Sequence, residues 1–333
     1  MDVRPLVVTA FLGAATLLAL VMSIALGEFA VPPLDVVAAL VGASDQATRF
    51  VVVDLRLPRA LTGLLAGAAL GVAGAVFQDV TRNPLVAPDI VGIAGGASLA
   101  AIALLVLGPS TGTLSVPLAA LAGALVSGAL LYGLAWRRGV QGYRLVLVGI
   151  GVAAFAQAGI SYVLTEGRIF EVARAWVWLV GSLNGRGWEH VWPLAVALGV
   201  LLPLLLALSR RVDVLQFGDE VARSLGVGVE RTRLLMLGTA VLLTGMAVSS
   251  AGPIGFVAFV SPHIARRLTH SVSTQSLLLA SAGFGALLVL VADLAGRLLL
   301  SPHEIPVGIV TSILAAPYFL FLLRRTTLLK AAA

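Results

Sequence analysis

Most of the sequence consists of apolar runs long enough to cross a membrane, separated by short polar breaks. Crossing about 30 Å of hydrocarbon takes about 20 residues of helix, and a helix satisfies its own backbone groups without water. Charged residues make up only 11% of the chain, against roughly 25% in a soluble domain. Because so few charges cannot cover a water-facing surface, the chain is predicted to be an all-α integral membrane protein.

The apolar runs and the breaks between them predict ten membrane-spanning helices. The first run is too long for the apolar core of a signal peptide and lacks a clear cleavage site, so it is expected to remain as a span. Residues 1–333 are therefore expected to form one transmembrane domain. The predicted spans are 6–26, 60–80, 90–107, 114–136, 144–165, 190–209, 231–250, 254–268, 276–296 and 306–324.

The positions of the cationic residues predict the orientation of the chain. With a cytoplasmic N-terminus, most of the 22 lysines and arginines lie inside, which is the usual bias for cytoplasmic loops. The net charge of +6 is thus a sign of topology, and no nucleic-acid partner is expected. The cations that lie outside are Arg49, Arg56, Arg59, Arg168, Arg174, Arg186 and Arg297.

The sequence lacks residue types that several enzymatic functions require. Lys330 is the only lysine, so no glycine-rich loop can supply the phosphate-binding lysine of a Walker motif, and the chain is not expected to hydrolyse ATP. It has no cysteine, so neither a disulfide nor a thiolate metal site can form. We expect no metal site, no cofactor and no catalytic residues, since the four histidines are scattered: His190, His263, His270 and His303.

Glycine and proline positions predict tight helix packing and one interrupted helix. The second span carries glycines at helical spacing, which allow neighbouring backbones to approach closely. The eighth span is short and contains or adjoins Pro253 and Pro262, so a straight full-length helix is not expected there. The glycines of the second span are Gly63, Gly67, Gly71 and Gly74.

The longest polar stretch, residues 213–233, follows the sixth span. Val221, Leu225 and Val229 recur every four residues, as expected for an amphipathic helix seated in the groove of another protein. The charged residues Asp219, Glu220 and Arg223 are predicted to lie on the opposite face. A water-soluble partner could bind such a segment, although a charged loop between spans is more often only a solvated surface.

Four polar residues lie inside or at the ends of spans, namely Gln78, Asn83, Gln157 and Ser161. A lipid-facing position is costly for polar groups, so they are predicted to face the bundle interior. Two interpretations stay open at this point: they line a translocation path, or they form hydrogen bonds between helices.

Seven segments in order resemble the FecCD-type permeases of type II ABC importers, which carry ferric siderophores, haem or cobalamin. The resemblance implies ten helices with both ends cytoplasmic, in the inner membrane of a bacterium. It also implies a second permease subunit, identical or homologous, two ATPase subunits, and a periplasmic or lipid-anchored substrate-binding protein. The segments are RLPR (56–59), QDVTRNPLVAPDIVG (78–92), GDEVARSLG (218–226), GPIGFV (252–257), SPHIAR (261–266), ADLAGR (292–297) and EIPVGIVT (304–311).

The resemblance also implies roles for particular residues. Arg56, Arg59 and Arg297 are expected to receive acidic residues of the binding protein, which suits the forked, permanently charged guanidinium group. The alternative is that they only anchor helix ends at the membrane surface. Residues 213–230 are expected to contain the coupling helix that sits in the cleft of the ATPase, through Gly218, Asp219, Glu220, Ala222, Arg223, Leu225 and Gly226.

The substrate expected from the resemblance is a ferric siderophore. The string 178–188 and the pair Pro88-Asp89 resemble the versions found in ferric-siderophore permeases, while haem or cobalamin remain alternatives. A rival from another class is an ion-coupled secondary transporter, which should carry ionisable residues in the middle of its spans. It is disfavoured because the acidic residues that come closest, Asp79, Asp89 and Asp293, lie near the ends of runs.

Overall fold

The computed structural model contains α-helices throughout the described residues, which are 4–27, 30–108, 115–137, 139, 142–270, 273–300 and 303–318. A π-helical turn, Phe50–Arg56, leads directly into α4. The helices are α1 (Arg4–Ala25), α2 (Pro33–Leu40), α3 (Gln46–Arg49), α4 (Leu57–Thr81), α5 (Ile93–Leu107), α6 (Ser115–Ala135), α7 (Gly142–Glu166), α8 (Ile169–Leu179), α9 (Trp188–Leu215), α10 (Asp219–Ser224), α11 (Val229–Ala251), α12 (Val257–Thr269), α13 (Thr274–Leu298) and α14 (Val307–Tyr318).

Ten of these helices correspond to the ten predicted spans, which confirms the fold class. Seven helical segments in the described part are long and apolar enough to cross a membrane. The other three, α5, α12 and α14, are shorter. The predicted tenth span continues to residue 324, and its last part lies outside the described residues.

Helix α4 is the centre of the bundle. It packs against α13, α11, α12 and α9, and nearly all of its residues are buried. The predicted close approach of backbones at its glycines is confirmed: a Cβ atom on Gly67, Gly71 or Gly74 would overlap a carbonyl oxygen of α13 or α12. These glycines therefore set the distance between the central helices.

The helical structure is interrupted between α11 and α12, near the position predicted from the sequence. Phe256 adopts a left-handed conformation with φ of 65°, which is uncommon for a bulky residue. Its N–H donates to Asp89 Oδ2 at 3.3 Å, so the break is tied to the turn before α5. Pro253 lies in the break, whereas Pro262 lies inside α12 without ending it. With 13 residues, α12 is only about 20 Å long.

The bundle has two polar ends. We name the end where α4 and α9 finish and α11 begins the inner end, and the end where α4 begins and α13 finishes the outer end. In the predicted orientation the inner end faces the cytoplasm. Both ends carry ion pairs between helices that are distant in the sequence, and the candidate functional residues are concentrated there.

Candidate functional site at the two ends of the bundle

At the inner end, α10 is a short helix held between two sharp turns. Gly218 before it has φ of 109° and Gly226 after it has φ of 78°, conformations that favour glycine. The predicted polar segment is thereby divided, since Asp213 belongs to the last turn of α9. The independent helical element is only the six residues of α10.

Asp219 ties α10 to two helices of the bundle. Its carboxylate accepts hydrogen bonds from Arg233 of α11 at 2.7 Å and 2.9 Å. It also accepts one from Arg82 Nη2 at 3.0 Å, and Arg82 in turn donates to the carbonyl of Leu215. Partial burial raises the pKa of Asp219, but the hydrogen bonds and charges of Arg233 and Arg82 outweigh this effect, so that the pKa lies below its usual value of 3.8.

The outward side of this region is apolar. Phe217, Val221 and Leu225 are 75%, 44% and 64% exposed, whereas Ala222 and Val229 are buried together with Leu215. We name Phe217, Val221 and Leu225 the inner apolar patch.

The predicted division of the polar segment into two faces is wrong in two respects. Val229 does not share a face with Val221 and Leu225, because the helix ends at Ser224 and the chain reverses at Gly226. Asp219 does not share an exposed face with Glu220 and Arg223, because it is turned toward Arg233.

A second inner-end cluster centres on Asp79, which is 6% exposed. Its carboxylate pairs with Arg266 Nη2 at 2.5 Å and accepts from Thr274 Oγ1 at 2.9 Å. Asp213 accepts from the backbone N–H of Thr274 at 2.7 Å, and Gln216 donates to the carbonyl of Asp79 at 3.2 Å. The cluster joins the ends of α4, α9 and α12 to the start of α13, and sequence reasoning did not find it.

At the outer end, Arg59 is held by two carboxylates. It pairs with Asp293 at 2.9 Å and with Glu304 at 2.9 Å. Arg297 lies on the other side of Asp293, at an ion-pair distance of 3.2 Å, and donates to the carbonyl and hydroxyl of Ser23 at 2.9 Å and 2.8 Å. The two arginine side chains are only 14% and 8% exposed.

The structure brings the three predicted docking arginines together at the outer end. Arg56 donates to the carbonyls of Ile24 and Ala25 at 2.9 Å and 3.2 Å. Together with Arg59, Arg186 and Arg297 it lines a cavity of about 580 Å³. All three predicted residues therefore have partners within the chain, and these contacts give them a structural role. Their role in docking the binding protein stays a prediction.

The four polar residues predicted for the path are not brought together. Gln78 is buried and donates to the carbonyl of Phe259 at 3.2 Å, so it joins α4 to α12. Asn83 accepts from the N–H of Leu85 at 3.0 Å and stabilises a turn.

Gln157 and Ser161 lie on the exposed side of α7. The expectation that they face the interior of this bundle is therefore wrong. Hydropathy identifies the polar residues of a span, but it cannot tell the interior of one chain from a surface that a second chain covers.

Among the described residues, no group of three or more histidine or acidic side chains is arranged to hold a metal ion. What the inner end offers instead is an exposed apolar patch fixed to the bundle by ion pairs. The outer end offers a cavity lined by arginines.

A bundle in which seven helical segments of the described part are long and apolar enough to cross a membrane identifies the chain as an integral membrane protein. It belongs to the FecCD transport family, whose model matches residues 15–325. It is 41% identical to the Fe(3+)-citrate import system permease protein YfmE of Bacillus subtilis (strain 168), over 96% of each chain. It is 40% identical to the ferric enterobactin transport system permease protein FepG of Escherichia coli (strain K12), again over 96% of each chain.

The fold also resembles a solved structure. An inward-facing ABC transporter assigned to the metal-chelate type superposes with a TM-score of 0.83 and 26% identity, covering 96% of this chain and 99% of that one. The family resemblance predicted from the sequence motifs is thus confirmed.

Proposed function

We propose that this chain is the permease subunit of an ATP-driven importer that moves a ferric siderophore or similar ferric chelate across the inner membrane of a bacterium. The relatives support the substrate class, because they are named as permeases for ferric citrate, ferric enterobactin and ferric hydroxamate. Haem and cobalamin permeases of the same family remain the alternative.

The inner apolar patch is the proposed contact with the ATPase. The proposed function rests mainly on this patch. Phe217, Val221 and Leu225 are exposed at the inner end, where an apolar surface outside the membrane marks a protein contact. The ion pair of Asp219 with Arg233 joins this contact to α11. In the proposal, two separate ATPase chains bind and hydrolyse ATP, and α10 transmits their movement to the bundle.

The outer cavity is the proposed contact with a periplasmic or lipid-anchored substrate-binding protein. Acidic residues of that protein would approach Arg56, Arg59 and Arg297, and would compete with the chain's own carboxylates. Glu304 is the displaceable partner, because its side chain is 36% exposed while that of Asp293 is 3% exposed. Docking would then exchange the Glu304 contact of Arg59 for an intermolecular one.

The proposed translocation path lies between two permease subunits, identical or homologous. The exposed positions of Gln157 and Ser161 on α7 support this placement, since polar groups facing lipid are costly. Gln78 is left out of the path, because its amide joins two helices. The path then alternates between two states, biased by ATP at one end and by the docked binding protein at the other.

Transport by purified components tests this function. The permease, its ATPase and its binding protein are reconstituted in vesicles, and uptake is measured for ferric citrate, ferric enterobactin, haem and cobalamin. We expect uptake of a ferric chelate that requires both ATP and the binding protein. Uptake driven by an ion gradient without ATP would instead identify a secondary transporter, and preference for haem or cobalamin would move the chain to the alternative substrates.

A further inference from the structure

An apolar groove opens on the side of the bundle, away from the two polar ends. Its volume is about 690 Å³. Helix α11 forms its floor between α6 and α9, since α11 packs against both. Nearly all of its lining is apolar, including Leu125, Leu204, Leu234, Leu235 and Leu242.

In the predicted orientation, the groove lies in the inner half of the membrane. Helix α11 begins at Val229, and its groove-lining residues run from Leu234 to Leu242, which is about 12 Å along the helix. Half of the hydrocarbon thickness is about 15 Å. The groove therefore has the depth of one leaflet and the composition of a site for an acyl chain.

Two arginines lie beyond the inner end of the groove, whereas the carboxylate of Glu230, which lies near Tyr132, pairs with Arg233 at 3.5 Å. Arg231 precedes Leu234 and Leu235 by three and four residues, so it lies on the same side of α11. Arg211 follows Leu204 by two helical turns on α9. Both arginines are exposed and neither has an acidic partner within the described residues.

Two aromatic residues lie at the inner end of α6. Trp136 is 46% exposed and its ring lies 5.6 Å from that of Tyr132. Tryptophan at this level is typical of the membrane surface. Tyr132 lines the groove, and its buried hydroxyl has no hydrogen-bond partner in the described part of the chain.

We propose that this groove is a binding site for an anionic phospholipid of the cytoplasmic leaflet. One acyl chain occupies the groove between α6, α9 and α11, and the phosphate group contacts Arg211 and Arg231. Arginines beside a pocket between helices on the cytoplasmic side are suited to anionic head groups. The site is distinct from the proposed docking and coupling sites, since the residues that line the groove belong neither to the outer cavity nor to the inner apolar patch.

Native mass spectrometry of the full-length permease tests the head group. The purified protein is titrated with phosphatidylglycerol and with phosphatidylcholine of the same acyl chains. We expect tighter binding of phosphatidylglycerol, by about fivefold for each arginine. Arg211→Gln combined with Arg231→Gln removes this preference, whereas Arg210→Gln on a different side of α9 keeps it. Equal binding of the two lipids by the wild-type protein overturns the proposal.

A variant that fills the groove tests the acyl-chain site. Gly238 lines the groove and a Cβ added to it meets nothing within 4 Å, so the side chain of Gly238→Leu has room to enter the groove. We expect it to weaken phosphatidylglycerol binding about tenfold. Gly13→Leu is the matched control, since its Cβ also has open space and α1 does not line the groove. Unchanged binding in Gly238→Leu, or a polypeptide cross-linked in the groove in place of lipid, overturns the proposal.

Discussion

The carboxylate of Asp219 holds the guanidinium group of Arg233 through two hydrogen bonds, of 2.7 Å and 2.9 Å. Asp219 begins the short exposed helix α10, whereas Arg233 belongs to α11, which runs through the bundle. The Arg233 side chain is only 9% exposed. In the proposed coupling, a displacement of α10 is therefore transmitted to α11 through a paired, largely buried charge, in addition to the backbone.

Asp219→Asn should weaken coupling while the protein remains folded. Hydrogen bonds to charged groups contribute about 1.5–3 kcal/mol, and the lower end applies because the Asp219 side chain is 30% exposed. We expect ATP-dependent uptake to fall about tenfold, the change that corresponds to about 1.4 kcal/mol. Asp35→Asn is the control, because Asp35 is exposed on α2 and should keep near-normal uptake. Equal uptake by both variants would show that the ion pair does not carry the coupling.

The same ion pair predicts a pH dependence. The pKa of Asp219 lies below 3.8 in the folded protein, so the ionised form binds Arg233 and stabilises the fold. This contribution is complete above the unfolded-state pKa and is lost as the pH falls through the folded-state pKa. Carboxyl ¹³C NMR, with the resonance assigned from Asp219→Asn, should give a midpoint below 3.8. Arg233→Gln should raise that midpoint, and an unchanged midpoint would contradict the assignment of cause.

Arg59 should matter for stability as well as for docking. Arg59→Ala leaves Asp293, whose side chain is 3% exposed, with only its contact to Arg297. Removing one partner of a buried pair costs about 3–5 kcal/mol, and the remaining arginine reduces this to about 2 kcal/mol. Thermal unfolding of the purified permease measures the loss. Arg174→Ala, an exposed arginine on α8, should leave the unfolding temperature unchanged, and a similar loss in both variants would contradict the structural role.

The glycines of α4 should not tolerate even one added methyl group. Gly71→Ala places a Cβ against the carbonyl oxygen of Ser281, and overpacking of this kind costs about 1–3 kcal/mol. Gly13→Ala on α1 has open space around the new Cβ and should be neutral or slightly stabilising, since alanine favours helix. Comparing the unfolding temperatures of the two variants checks this, and equal values would contradict the close packing.

The helices could be predicted because each depends on local hydropathy. The spans from 60 to 80 and from 276 to 296 were predicted within a few residues of α4 and α13, since apolar runs end where charged residues begin. Gly67 and Gly71 were recognised as packing positions from their spacing alone. Such features require no knowledge of which helices are neighbours.

The pairing of residues across the bundle could not be predicted. Asp79 binds Arg266 and Thr274, which are 187 and 195 residues away in the sequence, and no local pattern relates them. The inward orientation of the Asp219 side chain could not be predicted for a related reason. Helical spacing places it with the exposed charges, but the turn at Gly218 and the position of Arg233 direct it inward.

ATP-dependent uptake by a variant of the inner apolar patch tests the coupling role of α10 most directly. Leu225→Asp places a charge at a position that is 64% exposed, so the permease itself should fold normally in the membrane. The matched control is Leu34→Asp on α2, since Leu34 is 83% exposed and lies outside the patch. We predict that Leu225→Asp loses binding of the ATPase and substrate uptake while Leu34→Asp retains both. Normal uptake by a folded Leu225→Asp variant would contradict the proposal that α10 couples this permease to its ATPase.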